Sequence, residues 1–309
     1  MILEEHSRQC AIAASNINLS KCHLVANFGL KFPILNSTGP IGIFDSGYGG
    51  LTVFKSIAAL LPQYDYVYLG DNGRAPYGNR SFETVHEYTL ECVEWFFSKG
   101  CPLVILACNT ASAKALRNIQ QLDLPRIAPE KRVLGVIRPT AEVIGNYTKT
   151  NSVGVLGTKG TINSGSYEIE INKFFPHIKV NSLACPMWVP LVEYGEYLSP
   201  GADYFIQKYL DALLSKDPSI DTILLACTHY PLLMDKILKY LPEGISVVSQ
   251  GDIVAKSLAD YLNRHTEIAQ LISQTGHISF HTTDDTADFD AQGSSFFGRE
   301  IKSAYVHFL

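Results

Sequence analysis

The sequence predicts an α/β fold built as two pseudo-symmetric α/β domains with mostly parallel sheets and an active site in the cleft between them. Two observations carry that expectation. Short apolar runs end in small or polar residues, and each is followed by a helical pattern, which is how strand-then-helix units read. The chain also echoes itself: VILACNTAS at 104–112 resembles ILLACTHYP at 223–231, and IGIFDS at 41–46 resembles VGVLGT at 153–158, at nearly the same offset.

Residues 1–39 mix Asn, Ser and His with short apolar pieces, sustain no period, and end in the turn-like NSTGP at 36–40, so they read as a separate N-terminal extension. From Pro40 the texture changes. The strand candidates are 41–44, 66–69, 103–107, 133–136, 153–156, 223–226 and 246–248, alternating with helical segments as a parallel sheet requires. The repeat divides them into a first domain at 40–135 plus 245–309 and a second at 136–244. In open α/β sheets ligands bind beyond the carboxyl ends of the strands, and both echoed cysteines, Cys108 and Cys227, stand there.

A chain of 309 residues has the length of about two domains at roughly 150 residues each. With 46% hydrophobic and 18% charged residues it is globular in composition, which excludes overall disorder. A net charge of −5 without a long basic cluster excludes nucleic acid as the expected partner. The seven cysteines are odd in number, widely spaced and without a CxxC pair, so neither a disulfide framework nor a zinc knuckle is expected. Glu4 and Glu5 stand where a signal peptide needs positive charge, and no run approaches the roughly 18 apolar residues of a membrane span. The expected setting is cytoplasmic, with no membrane partner.

Cys108 ends a buried strand and precedes the cap-like Asn109 and Thr110, which open a helix. The thiol therefore sits at a helix N-terminus, where thiolate is favoured; the plain alternative is a small buried cysteine. Cys227 repeats the arrangement, with Pro231 suited to a first helical turn and Thr228 and His229 in the loop. His229 is either a satisfied structural residue or the partner that exchanges a proton with the thiol. The glycine-rich turn at 47–50 has the character of loops that bring backbone N–H groups to an anion, yet it is neither GxGxxG nor a P-loop. Asp45 before it is either a helix cap or a carboxylate that assists proton movement at Cys108. The loop DNGRAPYG at 71–78 is dense in turn formers and offers the N–H groups of Tyr77 and Gly78 to a substrate carboxylate.

No His, Asp or Glu cluster has metal-ligand spacing and no lysine sits in a context resembling a pyridoxal phosphate site, so no metal or cofactor is expected. Two thiols without a cofactor suit proton abstraction on one face of a carbon with delivery on the other, because a single base returns the proton where it took it.

Six motifs in order, FDSGYGGL (44–51), DNGRAPYG (71–78), ACNTAS (107–112), GVI (135–137), GTKGT (157–161) and ACTHYP (226–231), resemble the glutamate racemases, a cofactor-independent family. FFG at 296–298 is similar to that family's C-terminal ending, and residues 1–39 have no counterpart in its core. The resemblance implies interconversion of L- and D-glutamate, with D-glutamate supplied to peptidoglycan precursors, in a chain that is commonly a homodimer. It implies Cys108 as the base toward D-glutamate and Cys227 as the base toward L-glutamate, assisted by Asp45 and His229 respectively. It implies Ser46, Pro76, Tyr77, Gly78, Asn109, Thr110, Thr158, Thr161 and Thr228 as substrate-pocket residues, with Asp71 and Glu193 in lesser roles. Arg138 and Ala226 depart from the commoner family residues. Other two-cysteine racemases acting on aspartate or hydantoins are the nearest alternative, and a non-catalytic amino-acid-binding module the next.

Overall fold

The computed structural model describes residues 38–308. Cys10 and Cys22, the Glu4–Glu5 pair and nearly all of the expected extension lie outside the described residues. Gly39, placed in that extension, belongs to the folded body: it pairs with Ile272, donating to the Leu271 carbonyl at 2.9 Å and accepting from Ser273 N–H at 2.9 Å.

Among the described residues ten strands form two sheets: β1 (Ile41–Asp45), β2 (Tyr66–Gly70), β3 (Leu103–Leu106), β4 (Arg132–Gly135), β5 (Ser152–Gly157), β6 (Lys179–Ala184), β7 (Thr222–Ala226), β8 (Ser246–Val248), β9 (Ile278–Thr282) and β10 (Ser303–Tyr305). The first sheet has the order β10-β9-β2-β1-β3-β4, the second β6-β5-β7-β8. Every pairing is parallel. The second sheet thus reproduces the β2-β1-β3-β4 core of the first, with β5 in the place of β1 and β7 in the place of β3. These are the strands whose sequences echo.

One shared glycine shows why the echo exists. Gly42 in β1 lies so close to the helix Phe82–Ser98 that a Cβ there would stand 2.7 Å from the Phe96 ring, and Gly154 in β5 would meet Leu213 of the helix Pro200–Leu214 at the same 2.7 Å. In each half the helix that precedes the third strand packs flat on the central strand, and only glycine leaves room. β1, β2, β5 and β7 are buried along their whole length, as strands covered on both faces must be. Between the first sheet and its outer helices Phe54 collects Tyr66, Phe297 and Phe280 with ring centroids 5.2–6.0 Å apart, an aromatic core whose members each contribute about 2–3 kcal/mol of burial.

The expected domain boundary at 244/245 shifts. β8 pairs with β7 in register Thr222↔Ser246, so residues 246–248 belong to the second sheet and the chain returns to the first only after Val248. Strands β6, β9 and β10 were not among the sequence candidates. β6 and β10 are edge strands, exposed or half-buried along most of their length, so they lack the continuous apolar signature. No helix among the described residues is long and apolar enough to cross a membrane.

Candidate active site

The carboxyl ends of β1, β3, β5 and β7 deliver Ser46, Cys108, Thr158 and Cys227 to one cavity of about 80 Å³ between the two sheets. A single water needs about 10–15 Å³ by this measure, so the space suits roughly half a dozen water-sized groups, the scale of an amino acid. Ser46, Pro76, Tyr77, Gly78, Cys108, Asn109, Thr110, Thr158, Cys227, Thr228 and His229 all line it. Asp45 and Thr161 do not; both lie directly behind the wall.

Cys108 is itself the N-cap of the helix Asn109–Lys114: its sulfur accepts from Ala111 N–H at 3.4 Å and lies 3.4 Å from Ser46 Oγ. The helix N-terminus does not by itself favour a thiolate here. Burial, then the nearby Asp45 charge, push the thiol up to about 12, and the bonds from Ser46 and Ala111 offset only part of this. A six-residue helix contributes a weak dipole, which does not balance full desolvation.

Asp45 is fully buried and does not cap the helix that follows it, whose N-cap is Gly50. Its Oδ2 accepts from Gly47 N–H at 3.0 Å and its Oδ1 from Thr228 Oγ1 at 3.5 Å. The backbone N–H of the glycine turn is therefore spent on the protein's own carboxylate rather than on an external anion. Burial raises the Asp45 acid to about 6, against the lowering effects of His229 and of the Gly50 and Gly47 N–H groups. The glycines themselves serve close approach. A Cβ on Gly50 would stand 2.4 Å from the Asp45 Cβ, and one on Gly49 would stand 2.3 Å from Thr228 Oγ1 and 2.5 Å from His229 Nδ1.

In the loop after β7, His229 Nδ1 lies 3.9 Å from Cys227 Sγ and Nε2 lies 3.1 Å from Glu193 Oε1. Burial alone lowers an imidazole, but the bonds to Cys227 and Glu193 outweigh it and push His229 up to about 10. Glu193, from the helix Trp188–Glu193, lines the cavity and orients the ring. A triangle of hydroxyls, Thr110 to Thr158 at 3.0 Å, Thr158 to Thr161 at 3.1 Å and Thr110 to Thr161 at 3.4 Å, joins the two halves across the cavity wall. Tyr77 turns its phenol away, donating to Asp71 Oδ2, while Thr283 Oγ1 donates to Asp71 Oδ1 at 2.8 Å. Asp71 therefore anchors the loop bearing Tyr77 and Gly78. Arg138 pairs with Glu142 at 2.9 Å on the surface, away from this cavity.

Sequence reasoning missed Cys185, Pro186, Val189 and Pro190, which complete the wall beside Cys227. They follow the edge strand β6, so the signal that marked the other strand ends was absent.

Twin parallel sheets bring two equivalent strand-end thiols to the lining of one small cavity, the frame of a racemase. The chain belongs to the Asp/Glu/hydantoin racemase family, whose model matches residues 41–258. A glutamate racemase of Geobacter metallireducens is 40% identical over 266 residues, covering 86% of this chain and 95% of its own. Among solved structures, a glutamate racemase isoform from Bacillus anthracis superposes with a TM-score of 0.79 at 33% identity, covering 87% of this chain and 98% of that one. The glutamate racemase of Francisella tularensis in complex with D-glutamate gives 0.77 at 31% identity, with the same coverage.

Proposed function

We propose that this racemase interconverts L- and D-glutamate without a cofactor, by two-base proton transfer between Cys108 and Cys227, and that its product feeds peptidoglycan synthesis. The observation that carries the mechanism is the pair of thiols at equivalent strand ends lining one cavity. The substrate rests on relatives named glutamate racemase and on the D-glutamate complex of one of them.

The hard step is removal of a weakly acidic α-proton next to a carboxylate. Hydroxyls of Ser46, Thr110, Thr158 and Thr228 and the amide of Asn109 supply uncharged hydrogen-bond donors to carboxylates, in a lining that also contains Lys159 and His229. From D-glutamate, Cys108 as thiolate takes the α-proton; the pair of electrons left on carbon is quenched by the proton of the Cys227 thiol on the other face. The enzyme ends with the roles exchanged, ready for L-glutamate. Asp45, with its acid near 6, is poised to take a proton from Cys108 around neutrality, and protonated His229 to give one to Cys227. Since the Cys108 thiol is pushed up to about 12, donors recruited when substrate closes the site must lower it.

The test is incubation of the chain with either enantiomer of glutamate in D₂O, with no cofactor added, following optical rotation and the α-proton by NMR. Loss of rotation together with α-deuteration is the expected result. Unchanged glutamate would sink the reading, and turnover of aspartate instead would move the substrate while keeping the chemistry.

A second expectation concerns the glycine turn. Gly49→Ala places a methyl group against Thr228 and His229 and pushes the Cys227 loop out of register. A shift approaching 1 Å at a reacting group costs about 10²-fold, and overpacking costs about 1–3 kcal/mol. Glutamate turnover and thermal unfolding of this variant check both; wild-type turnover in it would show that the loops are not held in contact.

A further inference from the structure

Asn109 from the strand-end motif and two buried polar side chains that no such motif contains, Tyr167 and Gln250, close a directional ring behind Cys108. Asn109 Nδ2 donates to Gln250 Oε1 at 2.7 Å, Gln250 Nε2 donates to Tyr167 OH at 2.7 Å, and Tyr167 OH donates to Asn109 Oδ1 at 2.5 Å. All three residues are at most 4% exposed. Gln250 stands at the N-cap of the helix Gly251–Arg264, yet its side chain does not cap that helix. It reaches instead to the Val136 carbonyl at 3.2 Å and Thr140 Oγ1 at 3.0 Å. Val136 follows β4, where the chain leaves the first sheet, and Gln250 follows β8, where it returns. One amide therefore ties both crossings to Asn109, which lines the cavity beside Cys108.

We propose that Gln250, with Tyr167, is a positioning residue for the racemase site, acting through Asn109; this rests on the glutamate reading above. An asparagine amide has one acceptor and two donor hydrogens, and nothing in its shape chooses which end faces a ligand. Here the choice is made by the ring. Tyr167 has no other hydrogen to give and occupies Oδ1, while Gln250 takes one Nδ2 hydrogen, so the hydrogen left over is a donor. The ring thus keeps Asn109 presenting N–H to an anionic substrate, and it forbids the flipped amide, whose carbonyl would repel a carboxylate. Because the same glutamine holds both crossings, the donor's position is also fixed relative to the second half of the molecule.

A positioning role acts on substrate binding more than on the proton transfers, and it disappears when Asn109 has no amide to orient. Gln250→Ala is expected to raise the KM for glutamate about tenfold in both directions and to lower kcat by less than threefold, in line with loss of one charge-assisted bond. Tyr167→Phe removes a single oxygen, keeps the packing, and is expected to behave in the same way if Gln250→Ala does not fold. In an Asn109→Ala background either change is expected to leave KM where Asn109→Ala alone puts it. Costs in KM that multiply in full across the two backgrounds would overturn the proposal, as would variants that lose thermal stability with KM and kcat at wild-type values. Wild-type enzyme is assayed alongside, and its failure to turn over glutamate would overturn the racemase reading itself, a result distinct from either.

Discussion

Cys108→Ala and Cys227→Ala are each expected to abolish glutamate racemisation, a fall of at least about 10³-fold in kcat/KM, or about 4 kcal/mol of transition-state stabilisation. Both thiols are 5% exposed and occupy strand-end loops rather than the packed interior of a sheet, so each variant is expected to fold, with a stability loss of about 1 kcal/mol for the lost sulfur contacts. The two variants differ in what survives. With Cys227 gone, Cys108 still faces the α-proton of D-glutamate and returns a deuteron from D₂O to the same face, so D-glutamate is expected to exchange without inversion while L-glutamate does neither. Cys108→Ala is expected to show the mirror result. NMR of the α-position on a chiral separation reads exchange and inversion independently. Two-way racemisation in either variant would refute the two-base mechanism, and exchange of both enantiomers by one variant would show a third base reaching the carbon.

That the candidate site was legible at all follows from where strand ends fall. β1, β3, β5 and β7 are buried on both faces, so they appear in sequence as unbroken apolar runs, and the polar residue after each run marks the site. The repeat then sets the two cysteines at equivalent strand ends without any knowledge of three-dimensional contacts. Gly42 and Gly154 are visible as a shared position, although the reason, a helix side chain lying against each, is a packing fact that sequence does not print. The edge strands β6 and β10 and the wall residues after β6 were not legible, since an edge is not covered well enough to require a continuous apolar run. The protonation of Cys108 was misjudged for a related reason. A helix N-terminus is readable from Asn109 and Thr110, but the depth of burial and the approach of Asp45, 63 residues away in the chain, are not. The ring of Asn109, Tyr167 and Gln250 joins residues 58 to 141 positions apart, and neither Tyr167 nor Gln250 sits in a local pattern that marks it.

His229→Asn is expected to lower kcat/KM by about 10²-fold, the usual worth of a positioned proton donor, and to do so equally in both directions. L- and D-glutamate are mirror images with an equilibrium constant of unity, so no variant can change one kcat/KM without the other. The asymmetry between the thiols must therefore appear elsewhere. His229 touches Cys227 and not Cys108, so the primary isotope effect with α-deuterated L-glutamate, whose proton Cys227 removes, is expected to rise more than that with D-glutamate. The pH profile supplies the second readout. The wild-type plateau is expected to begin as Asp45 ionises near 6 and to end as His229 loses its proton near 10, and His229→Asn removes the alkaline limb assigned to the imidazole. Stability follows the same group with a definite sign. The folded chain binds the His229 proton more tightly than the unfolded chain, where imidazole titrates near 6.5, so this contribution is complete below that pH and is lost as pH rises through about 10. Thermal unfolding of wild type between pH 6 and pH 10 is thus expected to show a decline that the Asn variant lacks. Equal isotope effects from both enantiomers, with an unchanged alkaline limb, would assign His229 to packing and leave Cys227 to move its proton without it.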